Sequence, residues 1–493
     1  MIRVMRKGLY FYQRKTIFNP RCMENSHHSN SVMRTLAKEY ETMVTQGDAT
    51  ILTEDAYHQL ITYYESELLF ERALDIADKA MEVYSFTPEF FIRKADILLS
   101  LKLGDEALDQ LIKAEGIAPS EIHISLVKAK TLAFLNRQEE AKQILGDLKS
   151  YNDPEVLADV FIVEGYIHQL NKDYESMLES LVIALKKCPT KSSALESLWI
   201  ATEVCRKFKE CAELMTFVIN NDPYNYQAWY YLGHCYSFMC EYEMAVDAYE
   251  YSFIINEKFE SAYKDCADLC SELKKYSKAI KFYKEAIDTF GPDAEYYFDI
   301  AFCLYQTKKY KDAKRYFIKS LKLDPYNDEG FYYFGLCLAH EKRWNSAINA
   351  LMRAIDLDEM REEYYASLAD IYLKLGDKAK TEQYFQMAIE CGPEQSQIWL
   401  AYARFLVSEN RLKEAMKILK EADDFSVGAD LLYGMAACLY LKGKNKKALD
   451  MMAEALLEDF NSYKIMFDFV PTLQKDPEVK SMIAYYRSEL NLL

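Results

Sequence analysis

Glycine and proline are scarce in this chain, 15 and 11 of 493 residues and about 5% together, where an ordinary chain holds nearer 12%. So few turn-forming residues exclude an abundance of long loops, the material from which domain boundaries and catalytic segments are built. Long apolar runs are missing too. No stretch of roughly 20 predominantly apolar residues occurs, so no transmembrane segment is expected. Positive charge is in deficit, with 60 Lys and Arg against 77 Asp and Glu and a formal net charge of −17. Such a surface repels phosphate backbones and anionic membranes within a Debye length, and nucleic acid is not an expected partner. What is abundant is aromatic: 39 Tyr and 26 Phe, within a hydrophobic share of 50%. That is the composition of a packed, helical chain.

One segment departs from this balance. The first 23 residues hold six basic side chains (Arg3, Arg6, Lys7, Arg14, Lys15 and Arg21) and no acidic one, and subtracting their +6 leaves −23 for the rest. A secretory signal needs 7 to 15 apolar residues behind its basic start. Gly8 to Tyr12 is too short for that and is followed by more charge. Residues 1–33, including the polar stretch ENSHHSNSVM, are expected to form a disordered leader and linker. The leader reads either as a targeting or lipid-touching tail or as sequence ahead of a start at Met23. Residues 34–53 read as a lead-in, amphipathic and helical over 34–46.

Length alone suggests about three domains at roughly 150 residues each. An internal period replaces that estimate. Ala73, Ala107 and Ala141 stand 34 apart, as do Ala245, Ala279, Ala313 and Ala347, and Ala415 and Ala448 continue the series at 33. With this Ala as position 20, twelve repeats begin at Glu54, Pro88, Ile122, Ala158, Ser192, Tyr226, Glu260, Ala294, Asp328, Glu362, Ser396 and Ala429. Position 4 is then aromatic in nine of the twelve, position 8 is Ala or Gly in ten, and position 27 is Ala in eight. Pro stands at position 32 in five (Pro119, Pro189, Pro223, Pro325 and Pro393). Apolar positions 4, 7, 8 and 11 and then 17, 20, 24 and 27 follow helical spacing, separated by a short break. Each repeat therefore predicts a helix hairpin. Small residues at 8 and 20 let its helices approach, and large ones at 4, 11 and 24 fill the enclosed space.

In the sixth repeat Trp229, Leu232-Gly233, Tyr236, Ala245 and Tyr249 resemble the tetratricopeptide pattern W-x2-L-G-x2-Y followed by A-x3-F/Y. The resemblance runs from 54 to 462 and points to a multi-repeat scaffold of bacterial type. It implies an all-α, right-handed α-α superhelix of about twelve hairpins. A half repeat and a helix from Pro477, capped by Asp476, are expected to close its open end over 463–493. The pattern loosens in places, with Ser125 at position 4, Thr381 at position 20, and both Trp199 at 8 and Cys211 at 20 of the fifth repeat. That fifth repeat is expected to pack less regularly.

Chemistry finds little support. Cys235, Cys303, Cys337 and Cys438 share position 10, one per hairpin, whereas a tetrahedral metal needs converging ligands. Cys266 and Cys270 fall on core positions 7 and 11. These thiols read as small core hydrophobes, and twelve cysteines without a paired pattern favour a reducing, cytoplasmic setting. His168 and His234 lack ligand neighbours on their helices, and His27, His28 and Cys22 lie in the polar leader. No phosphate-binding loop and no G-x-S-x-G elbow occurs. Neither an enzyme nor a cofactor nor a metal is expected.

The resemblance assigns partner binding to positions 2, 5, 9 and 12 of each first helix, which line a concave groove. Here they hold Tyr230, Phe298, Phe302, Tyr305, Tyr332, Tyr433 and Tyr440, interleaved with Glu196, Glu203, Asp268, Glu295, Glu329, Glu363 and Asp370. Lys264 and Arg404 are the isolated cations. The paired Lys and Asn of family members that clamp a C-terminal carboxylate are missing, and so is the Asn ladder of those that glycosylate proteins. This groove suits a protein or peptide with Lys or Arg and apolar side chains. A second surface contrasts with it. Twelve basic and seven acidic residues lie between Lys274 and Asp324, with Lys274 and Lys308, Lys275 and Lys309, and Lys281 and Arg315 each sharing a column. A convex basic patch of this kind would support the alternative of a regulatory or assembly subunit that self-associates or docks an acidic partner.

Overall fold

The turn inside each repeat is where the scarcity of glycine becomes visible. In the computed structural model the residue at position 15 is left-handed in all twelve repeats, with φ between 58° and 79°. Only Gly376 and Gly443 are glycine there; Leu68, Lys102, Asn136, Lys172, Arg206, Cys240, Lys274, Lys308, Lys342 and Asn410 hold the rest. A left-handed L-residue costs roughly 1–2 kcal/mol. The conformation persists because it closes a Schellman cap, in which the amide at position 16 reaches back to the carbonyl at position 11. Glu241 donates to Tyr236 at 2.8 Å and Lys309 to Leu304 at 2.9 Å, and the same bond recurs through the chain.

The structure describes residues 36–38, 40–43, 52–426 and 428–490. The leader over 1–33, with its proposed start at Met23, lies outside them, as does most of the flank of the lead-in. All regular structure among the described residues is helical. The hairpins begin with Glu54–Ser66 and Phe70–Val83 and end with Ala429–Leu441 and Asn445–Glu458. Residues 36–38 and 40–43 are helical, with Ala37 buried against the first hairpin. Glu41 there pairs with Arg72 and accepts from the Tyr64 hydroxyl at 3.2 Å.

The small columns do what their size suggests. Ala73, Ala107, Ala245, Ala279, Ala313 and Ala347 are fully buried, as are Ala95, Ala267 and Ala301 at position 8. At Gly233 a β-carbon would stand 2.7 Å from the Tyr249 ring, so position 8 must stay small for the ring at position 24 to fit. Repeat 5 is the exception. Its helices, Ser193–Cys205 and Phe208–Asn221, touch less than the helices of other hairpins. Trp199 instead stacks on Tyr231 of the next repeat, centroids 5.9 Å apart.

The chain divides into two compact units, Met1–Gly291 and Pro292–Leu493. The first holds the seven hairpins up to Glu260–Glu272 and Tyr276–Phe290, and the second the five from Ala294–Gln306 and Tyr310–Leu323 onward. After the last hairpin come three short turns, Phe460–Lys464, Ile465–Phe469 and Pro471–Lys475, and then the helix Pro477–Glu489. Asp476 caps that helix through the amides of Glu478 at 2.9 Å and Val479 at 3.3 Å. Val479 is buried in the same core as Phe460, Met466 and Leu473. The closing element expected from Asp476-Pro477 is thus in place.

Candidate functional site

In the second unit, Ala294–Gln306 brings Phe298, Phe302 and Tyr305 to one face, and Asp328–His340 adds Tyr332. These four do not form a ladder on their own. They converge on Tyr333, whose ring lies 6.3 Å from Phe298, 5.3 Å from Phe302, 5.3 Å from Tyr305 and 5.0 Å from Tyr332. Tyr332 also packs on Tyr364, 4.8 Å away, while the Tyr364 hydroxyl donates to Asp328 at 2.6 Å. All four expected aromatics remain partly exposed. Burial raises the tyrosine phenols of the cluster, that of Tyr305 to about 12, and Tyr332 and Tyr333 are shifted the same way. At neutral pH they are therefore uncharged π faces with a hydroxyl edge.

The carboxylates around this cluster fall into two kinds. Glu329 is engaged within the protein, 3.5 Å from Arg361, which also holds Asp358 at 3.1 Å. Glu363 and Asp370 are exposed and have no ion-pair partner among the described residues. Both act electrostatically on the Tyr332 phenol. Surrounding protein raises the Asp370 carboxyl above its ordinary value, although Lys374 and Arg404 pull the other way. Arg404 is not isolated as expected; it faces Asp468 at 3.7 Å. Glu295 is exposed beside the N-cap Asp293, which accepts its backbone amide at 2.8 Å.

In the first unit the same columns build something different. Tyr230 on Tyr226–Phe238 donates to Asp265 on Glu260–Glu272 at 2.6 Å, and His234 Nε2 lies 3.4 Å from the same carboxylate oxygen. Tyr230 and His234 meet edge to face at 4.5 Å, with Trp199 5.0 Å from His234. Burial, and then the Asp265 charge, holds the Tyr230 phenol well above its ordinary value. Asp268 likewise accepts a hydrogen bond, from the Tyr283 hydroxyl at 2.6 Å.

Reading positions 2, 5, 9 and 12 alone misses position 6. Asp265, Tyr333 and Ser367 all stand there, and each meets position 5 of the preceding repeat: Tyr230, Phe298 and Tyr332. The signal was a spacing of 35 rather than 34. Tyr433 must be corrected as well. It is fully buried and donates to the Asp459 carbonyl at 2.8 Å, because the turns after the last hairpin fold over it. Tyr440 donates to Asp476 at 2.8 Å and so helps seat the closing helix.

The basic columns are split between the units, and several of their charges are already partnered. Lys275 pairs with Glu243, Lys281 lies 3.5 Å from Glu285, and Arg315 3.4 Å from Asp312. Lys274 and Lys308 occupy the left-handed turn position, beside the carbonyl end of a helix, where a cation is favoured without any partner. Lys309 follows at the next position. Among the described residues no group of three or more His, Cys, Asp or Glu could hold a metal ion, and no helix is long and apolar enough to cross a membrane.

Family models for the tetratricopeptide repeat match residues 294–327, 265–289 and 362–390. No curated protein matches the sequence. Similar solved structures include YrrB, a TPR protein with an unusual peptide-binding site, at 18% identity over 38% of this chain and 98% of that one, with a TM-score of 0.34. The hetero-tetramer Cut9-Hcn1 of APC/C aligns at 13% identity over 92% of this chain and 98% of that one, with a TM-score of 0.35. MamA 41-end from Desulfovibrio magneticus RS-1 aligns at 20% identity over 34% and 94%, with a TM-score of 0.32. The model matched at 294–327 starts and ends on the register derived from the alanine columns, and the match at 362 opens the tenth repeat of that register. Hairpin after hairpin carries the same turn and the same small columns, and on these grounds the chain is a member of the tetratricopeptide-repeat superfamily.

Proposed function

We propose that this protein is a non-catalytic scaffold or adaptor that holds a partner protein or peptide against the first-helix face of its second unit. Tetratricopeptide repeats serve protein-protein interaction as a class, and the finer assignment is to Phe298, Phe302, Tyr305 and Tyr332. The observation that carries it is the partly exposed aromatic cluster around Tyr333, with Glu363 and Asp370 beside it and, among the described residues, no ion-pair partner on either. Neutral aromatic faces and unpaired carboxylates favour Lys or Arg side chains, through cation-π and charge-assisted contacts, together with apolar neighbours. In this reading residues 54–462 form one twelve-repeat array closed by 463–493, working in the cytoplasm.

A displayed random-peptide library tests the reading. The native chain should enrich sequences with Lys or Arg next to apolar residues, and the double variant Glu363→Lys and Asp370→Lys should lose that enrichment while keeping its thermal transition. Equal enrichment by both chains would sink the assignment. Glu329 is the wrong residue for this test, since reversing it also breaks its pairing with Arg361.

A further inference from the structure

Position 26 lies on the outer side of each second helix, and it divides the chain sharply. In eight repeats it is charged: Lys79, Lys113, Asp147, Glu285, Lys319, Arg353, Glu421 and Glu454. In the tenth it is Met387, packed on the core. In repeats 4, 5 and 6 it is Ile183, Phe217 and Tyr251, which are 38%, 39% and 52% exposed. Met244 and Ile254 widen this stripe on Tyr242–Ile255, at 47% and 64% exposed. An open pocket of about 340 Å³ has Ile183, Val182, Leu198 and Leu214 in its wall, together with the charged Glu179, Lys207 and Glu210. It lies between the second helix of repeat 4 and the two helices of repeat 5. Three successive repeats thus expose apolar side chains where eight of the other nine are charged, a pattern that marks an interaction surface.

The charge around the stripe narrows what covers it. The three helices Tyr174–Lys187, Phe208–Asn221 and Tyr242–Ile255 together carry seven carboxylates and three lysines. Lys275 and Lys278 neutralise Glu243 and Glu250. Glu210, Glu213 and Asp247 are exposed and have no ion-pair partner among the described residues. An occupant must therefore be both apolar and basic. The leader has that character, with six cations, no acid and the run Leu9-Tyr10-Phe11-Tyr12. The twelve residues 24–35 span up to roughly 40 Å, about four helix layers at roughly 10 Å each. That brings the leader from the first hairpin to the level of repeats 4 to 6, with the effective concentration of an intramolecular ligand.

We propose that the outer face of repeats 4 to 6 is the docking site of the chain's own basic leader, residues 1–23. Leu9 and Phe11 enter the pocket and the stripe, while its Arg and Lys side chains meet Glu210, Glu213 and Asp247. Hydroxyl-radical footprinting of the full chain tests this through the oxidation rates of Met244 and Tyr251. Against a full chain carrying Leu9→Asp and Phe11→Asp, whose hairpins are untouched, both residues should oxidise about fivefold more slowly in the native chain, as expected for a site occupied roughly four-fifths of the time. Excess synthetic peptide of residues 1–23 should restore the slow rates to the variant. Equal rates in the two chains overturn the proposal, as does a peptide that restores nothing. Protection that disappears on dilution would place another copy's leader on the site and overturn docking within one chain.

Discussion

The two units use the same register on the first-helix face and arrive at opposite results. In the first, Tyr230 and His234 close on Asp265, so the aromatic and the acid satisfy each other. In the second, Phe298, Phe302, Tyr305 and Tyr332 gather around Tyr333, and the nearby Glu363 and Asp370 are left to solvent. The difference turns on position 6, which is an acceptor in repeat 7 and an aromatic ring in repeat 9. A tyrosine column is thus structural or available according to what the next repeat sets against it. Composition along the column does not decide the matter.

Substitutions at position 6 should separate the two outcomes. The largest effect is expected from Tyr333→Ala, which removes the ring that four others share. A loss of about 2–3 kcal/mol in urea unfolding is expected, because the ring is half-buried rather than enclosed. Asp265→Ala comes next at about 2 kcal/mol, since it strands the Tyr230 hydroxyl and His234. Adding Tyr230→Phe should recover part of that loss, with a coupling above about 0.5 kcal/mol in the double-mutant cycle. A cycle with no coupling would mean that the 2.6 Å bond does not distinguish the units.

The turns should respond alike in both units. Lys274→Gly and Lys308→Gly each relieve a left-handed side chain, and each should stabilise by somewhat under about 1 kcal/mol. Unequal gains would show that the units differ in more than their faces.

The smallest effect concerns pH. The Asp370 carboxyl is held above its ordinary 3.8, so it loses its charge sooner than an isolated carboxylate as pH falls. Binding of a cationic peptide should weaken in that window, and Asp370→Asn should flatten the dependence. Stability should move the other way. A carboxyl whose folded pKa is raised binds more protons in the native state, so its contribution to stability grows as pH falls through that value. Binding titrations and thermal melts over the same pH series check both signs.

Much of this was legible in the period of the sequence. The alanine columns set the 34-residue register, which also placed the fifth hairpin despite its lack of column alanines; Asp476-Pro477 located the last helix, and Trp199 at position 8 marked the hairpin that closes poorly. The face was harder to read, because a repeat taken as a self-contained unit hides pairs that straddle two repeats, such as Tyr230 with Asp265 and Phe298 with Tyr333. Tyr433 shows a similar blind spot. Its column suggested exposure, but the irregular turns that bury it carry no period at all. The basic columns were visible from spacing, whereas their intramolecular partners Glu243, Glu285 and Asp312 belong to charges too common for sequence to pair.

The 35-residue pairing has a bearing on how such a chain can lengthen. Copying one 34-residue block into the array would place its position 5 against a position 6 taken from its own duplicate. The junctions on either side would survive, but the one new junction, between the two copies, would not have been selected for fit. A duplicated repeat 6 would set Tyr230 against a second Tyr231 where Asp265 now stands. What is inherited as a working part is therefore the seam between neighbours, and any grafted or shuffled repeat has to carry half of the next one with it.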